Sequence, residues 1–238
     1  MNLLLLAPED LREPGAAEVG LSRYPPRDGL WPPAIGRRLR VGLLGGGIGE
    51  ARVTSVGAQT VRLAFDITQS APPALPLRLL LALPRPKMLR RILRSAAELG
   101  IKDIWLLNAS RVEKSYWQSP LLTPESLQAY CAAGLEQAVD TVMPAVQLRP
   151  RLKPFVEDEL PALAAGSTCV VAHPAADAPA VEVRGPVTLA VGPEGGFTDY
   201  EIALFGSAGF SACSLGARVL RVETALPVLS ATLLPRGS

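Results

Sequence analysis

The chain has 238 residues, 48% of them hydrophobic and 19% charged, with a formal net charge of +2. This is the profile of a soluble globular protein with one large or two modest domains; no apolar run approaches the roughly 20 residues of a membrane span, and the near-neutral balance confines any RNA surface to a local patch. Three widely spaced cysteines, Cys131, Cys169 and Cys213, exclude a disulfide framework and a zinc site and point to a reducing, cytoplasmic setting.

Met1–Ala7 is apolar but lacks the basic flank and length of a signal sequence, so it reads as a first strand. Ser22–Arg38 is Pro-rich and aperiodic, and a structureless stretch of that length inside a compact domain is usually functional or disordered. Leu39–Leu44, Gly49–Val56 and Val61–Ile67 alternate or run apolar as strands do. Gly45-Gly46-Gly47 separates the first two as a hairpin tip; with no helix after it, it is not a phosphate loop. Residues 1–70 are therefore expected to form a small β-barrel. Gln69–Pro76 is a Pro-rich break and marks the start of a second domain, residues 71–238.

Beyond the break the pattern changes. Leu77–Leu83 reads as a strand, Pro86–Leu99 as a helix, Asp103–Asn108 as a strand and Thr123–Asp140 as a helix. Ala145–Leu148 is a short strand and Pro154–Ala165 a helix; Thr168–Ala172 and Val187–Val191 are buried strands; Asp199–Ala208, Ser211–Leu215 and Glu223–Leu234 close the chain as helix, strand and helix. Strand–helix alternation with continuous apolar strands predicts an α/β domain with a mostly parallel sheet covered on both faces. Thr198 and Glu201 have capping-box spacing, with Gly209 as the helix stop. On the Pro86 helix, Leu89, Ile92, Leu93 and Ala96 form the buried stripe. Lys87, Arg90, Arg91 and Arg94 share another face, either a solvated face or a contact for an RNA backbone.

Two segments carry the chemistry. Gly192-Pro193-Glu194-Gly195-Gly196-Phe197-Thr198 and the stretch from Leu215 to Ala225 (LGARVLRVETA) each follow a short apolar run. Glycine-bearing loops at the ends of buried strands hold nucleotide-like ligands largely through the backbone. They offer a Glu and two Arg but no Lys-Ser/Thr pair, so a P-loop is a poor match. His173, the single histidine, follows the run Thr168–Ala172 and excludes a His-based triad or a two-histidine metal site within one chain.

GPEGGFTDYE paired with LGARVLRVETA, with LLLALPRPKMLRRILRSAAELG upstream and RVEKSYWQSP over Arg111–Pro120, resembles the RsmE family. These are 16S ribosomal RNA uridine-N3 methyltransferases of the SPOUT superfamily. The resemblance implies a trefoil-knotted C-terminal domain, a PUA-like N-terminal barrel that helps hold RNA, a homodimer with no metal, and S-adenosylmethionine bent into the knot. It puts the cofactor on Ala172, His173 and Pro174, on Val191, Gly192, Pro193, Glu194, Gly195 and Gly196, and on Leu215, Gly216, Arg218, Val219, Leu220, Arg221 and Thr224. Arg218 or Arg221 would steady the uracil oxygens, and Glu194 or Glu223 would handle the proton or the orientation. Structural roles stand equally beside these: Glu223 as a first-turn charge and Glu194 as a loop brace. Tyr116 and Trp117, flanked by Arg111 and Lys114, suit base stacking or a loop anchor. The family's usual RNA-facing helix has no counterpart in the Pro-rich Ser22–Arg38 segment. That departure keeps open a catalytically silent RNA-binding homologue; another SPOUT activity on a different RNA position is the remaining alternative. The terminal LPRGS resembles a cloning remnant.

Overall fold

The computed structural model describes residues 2–23 and 32–235; residues 24–31 of the Pro-rich stretch, with Trp31, and the last three residues of LPRGS lie outside them. The described chain separates into two units. One takes the chain up to Pro73 together with Ala132–Met143, the other Ala74–Cys131 and the chain from Pro144 onward.

The first unit is a six-stranded sheet made of β1 (Leu4–Leu6), β2 (Leu11–Glu13), β3 (Ala16–Gly20), β4 (Arg38–Leu43), β5 (Ile48–Val56) and β6 (Thr60–Gln69) in the order β1-β4-β5-β6-β3-β2. Among the described residues only β1 and β4 pair in parallel; the other pairs are antiparallel. Alternation along β5 and β6 sends Ala51, Val53, Val61 and Leu63 inward, where they join Leu4, Leu6, Val19 and Val41 in one core. The triple glycine is the β4–β5 hairpin tip, closed by Gly46 N–H donating to Leu43 O at 2.7 Å and Leu43 N–H to Gly47 O at 2.9 Å. Two strands in this unit escaped the sequence reading. β2 is three exposed residues, and β3 (AAEVG) has little apolar mass to announce itself.

The second unit is α/β. Its strands are β7 (Leu75–Ala82), β8 (Ile101–Leu107), β9 (Ala145–Arg149), β10 (Thr168–Ala172), β11 (Val187–Val191) and β12 (Ser211–Cys213), in the order β12-β10-β11-β7-β8-β9. Every pairing is parallel. β11 is buried at all five positions and β7 at its last four, as central strands covered on both faces must be. The helices are α1 (Pro86–Glu98), α2 (Pro124–Ala138, which from Ala132 onward belongs to the first unit), α3 (Leu152–Pro154), α4 (Leu160–Leu163), α5 (Asp199–Ser207) and α6 (Val222–Leu233). α1 buries Leu89, Ile92, Leu93, Ala96 and Ala97 and packs against α6.

One expected helix is different. Pro154–Ala165 becomes α3, a π turn over Phe155–Glu159, and α4. Pro161 has no N–H to return to the carbonyl four residues back, so a regular α-helix cannot run through it. The strand expected over Ser211–Leu215 stops at Cys213, where Ser214 turns to bond Ala178 and Ala180 instead. Trp105 is core, 8% exposed, stacked on Phe155 with centroids 5.4 Å apart and capped by the Arg149 guanidinium at 4.5 Å. Among the described residues, no helix is long and apolar enough to cross a membrane, and no cluster of three or more His, Cys, Asp or Glu could hold a metal ion.

Candidate functional site

A parallel sheet directs the loops after its strands to one end, where ligands of open α/β proteins bind. At that end of the second unit the loops after β10, β11 and β12 line one cleft of about 300 Å³. Ala172, His173 and Pro174 come from β10. Val191 to Gly196 come from β11, and Leu215, Gly216, Arg218, Val219 and Leu220 from the loop after β12. The two glycine-bearing segments, which lie well apart in sequence, are thus walls of the same cleft.

The first wall is a tight turn. Gly196 N–H donates to Pro193 O at 2.7 Å, and Gly196 sits at φ +73°. A side chain at Gly192 has no room: its Cβ would stand 2.9 Å from Phe197 N and 3.1 Å from Gly196 C, both backbone atoms. Phe197, 2% exposed, anchors the far side of the turn on Phe205. Thr198 then starts α5 with the expected capping box: Glu201 N–H donates to Thr198 Oγ1 at 3.3 Å, and Thr198 N–H donates to Glu201 Oε2 at 2.8 Å.

Glu194 points its carboxylate at the start of α1, where Oε1 accepts the Arg85 N–H at 3.0 Å. That is a loop brace with an anion at a helix N-terminus, a favourable pairing. His173 N–H donates to Cys213 O at 2.8 Å, tying the β10 loop to β12. Its Nδ1 is buried and finds no partner among the described residues. A buried polar atom in that state calls for a ligand atom or a water.

Arg218 and Val219 are exposed, Val219 at 77%, on the open side of the cleft. Arg221, Glu223 and Thr224 do not line it. Arg221 is the N-cap of α6, its carbonyl accepting the N–H groups of Thr224 and Ala225, and Glu223 lies in the first turn of that helix.

Of the residues singled out for RNA, Lys87, Arg90, Arg91 and Arg94 are all exposed on α1, and Arg94 pairs with Glu98 at 3.0 Å. Lys114, Tyr116 and Trp117 lie in the 3-10 turn Lys114–Gln118. The Trp117 indole is half-buried and donates to Asn108 Oδ1 at 3.0 Å, an anchoring contact. Desolvation, followed by the Glu113 charge, holds the Tyr116 phenol above its ordinary pKa. Arg111 stands apart from this group because it lines the cleft and donates to Gly195 O at 2.5 Å. Sequence reading placed Arg111 on RNA only; its proximity to Gly195 spans 84 residues and leaves no local signal. Cys213, Ser214, Phe197 and Ala225 also line the cleft without having been singled out for it.

The cysteines give a direct check on this packing. Burial raises the Cys213 thiol, and burial, partly offset by Lys102, pushes Cys131 up to about 12 from an ordinary 9.0. Both should remain thiols at pH 8, so iodoacetamide should label them far more slowly in the native protein than in urea. In the unfolded chain these thiols ionise near pH 9. The buried neutral form therefore favours the native state below that pH, and stability should fall as pH rises from 9 towards 12. Equal labelling rates in the native and unfolded states would contradict the burial.

Comparison with known proteins gives a consistent result. A model of the RNA methyltransferase domain matches residues 71–234. The chain is 31% identical over 242 residues to the ribosomal RNA small subunit methyltransferase E of Treponema pallidum, covering 98% of this chain and 91% of that protein. It is also 31% identical over 193 residues to the protein of the same name in Synechocystis, there spanning 79% of this chain and 63% of the relative. In structure it is similar to a ribosomal RNA small subunit methyltransferase E from Neisseria gonorrhoeae solved with S-adenosyl methionine, with a TM-score of 0.72, 20% identity, and 97% and 96% of the two chains covered.

Proposed function

Because this chain belongs to the RNA methyltransferase family, and within it to the ribosomal RNA small subunit methyltransferase E proteins, we propose that it methylates N3 of a specific uridine in 16S ribosomal RNA, using S-adenosylmethionine. The observation that carries the reading is the convergence of the two glycine-bearing loops on one cleft at the carboxyl ends of parallel strands.

The residues fit this cofactor. Gly192, Gly195 and Gly196 line the cleft with bare backbone, with no side chain of their own. Val191, Leu215, Val219 and Leu220 supply apolar walls for an adenine, and His173 Nδ1 adds a buried polar point at the cleft wall that has no partner among the described residues. S-adenosylmethionine, when bound, supplies a methyl group made electrophilic by its sulfonium sulfur. The chain's residues must then take the N3 proton and steady the uracil oxygens, since N3 is a poor nucleophile while protonated; a positioned base typically contributes ~10²–10⁴-fold. We assign the steadying cation to Arg218 or Arg221 and the proton or orienting role to Glu194 or Glu223. Arg218 and Glu194 line the cleft; Arg221 and Glu223 flank it at the start of α6.

The same reading extends to the architecture and partners. The second unit is proposed as a SPOUT trefoil knot: the β10–β11 connection runs beside Ser214 and bonds Leu233 O through Val183 N–H, an arrangement that suits a threaded chain end. The first unit, with residues 1–70 at its heart, is proposed as a PUA-like RNA-holding module. Lys87, Arg90, Arg91 and Arg94 on α1, with Arg111, Lys114, Tyr116 and Trp117, form the proposed RNA face. A homodimer in the cytoplasm, independent of metal, completes the proposal; three free cysteines suit such a reducing setting.

Two measurements test it. Titration calorimetry should detect S-adenosylmethionine binding. Small-subunit particles lacking the modification should gain one methyl group on a uridine, read by mass spectrometry. Arg221→Ala should slow that reaction, and an unchanged rate would remove Arg221 from the assignment. Binding without product would point to a silent RNA-binding homologue, and no binding would sink the proposal.

A further inference from the structure

We infer, resting on the methyltransferase reading, that Glu201 is a positioning residue that locks the loop after β8 onto the cofactor turn and so fixes Arg111 in the cleft, where its guanidinium is a second cation facing the uracil, beside the one assigned to Arg218 or Arg221. Glu201 is a carboxylate only 2% exposed, and a group so buried persists only when its oxygens are satisfied. A capping box accounts for one side: Thr198 N–H and Thr198 Oγ1 donate to Oε2 at 2.8 and 2.9 Å. The other oxygen does something a cap does not require. Oε1 accepts the Ser110 N–H at 2.7 Å, from a loop 91 residues away.

The residue after Ser110 is Arg111. Its Nη1 donates to Gly195 O at 2.5 Å, and a Cβ built on Gly195 would lie 3.1 Å from Arg111 Cδ. The loop that carries it is firm on both sides, with Ala109 and Val112 buried and Val112 N–H donating to Ala109 O at 3.0 Å. Among the described residues Arg111 has no carboxylate partner, so its charge is available to a ligand. Near the transferred methyl, the sulfonium of the donor repels a guanidinium and the electron-rich acceptor attracts it. Arg111 therefore complements the uracil as N3 loses its proton, and Glu201 acts on the reaction only through Arg111's position.

Glu201→Gln tests this sharply, because one amide oxygen can serve Ser110 or Thr198 but not both N–H groups. Ser110→Pro deletes the donor without touching α5 and stands in if the first variant folds poorly. The expected result is a kcat about 10- to 100-fold lower in Glu201→Gln, Ser110→Pro and Arg111→Ala, the loss that a small misplacement produces. Affinity for S-adenosylmethionine by calorimetry should stay at the wild-type value in Glu201→Gln and Ser110→Pro. The Ser110 amide of Glu201→Gln should exchange its hydrogen faster. Adding Glu201→Gln to Arg111→Ala should then slow the enzyme no further. If instead Glu201→Gln costs the Arg111→Ala enzyme the same factor that it costs wild type, or if cofactor affinity falls in step with kcat, the inference fails while the methyltransferase reading stands. A wild-type protein that binds no S-adenosylmethionine or yields no methylated product overturns the reading and the inference together.

Discussion

Gly192→Val should abolish detectable binding of S-adenosylmethionine, and Gly192→Ala should weaken it by about 10- to 100-fold, the equivalent of the roughly 1–3 kcal/mol that overpacking costs. The reason is local. A Cβ at this position meets Phe197 N at 2.9 Å, Gly196 C at 3.1 Å and Gly196 Cα at 3.2 Å. All three are main-chain atoms, so no rotamer change relieves the clash. The turn must open, and the turn is a wall of the cleft proposed to hold the cofactor. Gly206→Ala is the matched control. Gly206 lies in α5 with nothing within 4 Å of its Cβ position, and alanine there should leave binding intact while stabilising the helix by ~0.5–1 kcal/mol. Calorimetry on the three variants decides the matter, and wild-type affinity in Gly192→Ala would mean that the cofactor does not rest on this turn.

The contrast between Gly192 and Arg111 shows how much of this site a sequence can reveal. Gly192 sits in a local pattern, an apolar strand running straight into a glycine-bearing turn, and that pattern carried both the fold of β11 and the wall of the cleft. The capping box of Thr198 and Glu201 and the hairpin tip at Gly45-Gly46-Gly47 were legible for the same reason, since their partners lie within a few residues. Glu201's second bond and Arg111's contact with Gly195 join segments 91 and 84 residues apart, and no periodicity encodes them. β3 was missed because its small residues reach burial through partners on β6 that its own composition does not imply. The interrupted helix at Pro161 was readable in principle, since a proline lacking its N–H lies four residues after Glu157; the apolar spacing around it masked the signal.

Phe205→Ala should cost about 3–5 kcal/mol, the range for removing a fully buried aromatic ring. Phe205 is 0% exposed and sits between two other rings, with centroids 5.1 Å from Phe197 and 5.2 Å from Phe210. Each tilted pair adds ~0.5–1.5 kcal/mol beyond area burial, so the upper half of the range is expected. Against a typical domain stability of about 5–15 kcal/mol, this is roughly a quarter or more of the whole. The urea midpoint of the α/β unit should therefore drop steeply with its m-value unchanged. The effect should also reach the ligand. Phe197 lines the cleft and packs on Phe205, so losing the ring beneath it frees the turn that Gly192 keeps tight. Cofactor affinity should fall along with stability, and saturating S-adenosylmethionine should restore part of the lost midpoint, because a ligand that binds only the folded state stabilises it. A variant as unstable as expected but with wild-type affinity would separate the aromatic cluster from the cleft and leave the turn held by its backbone alone.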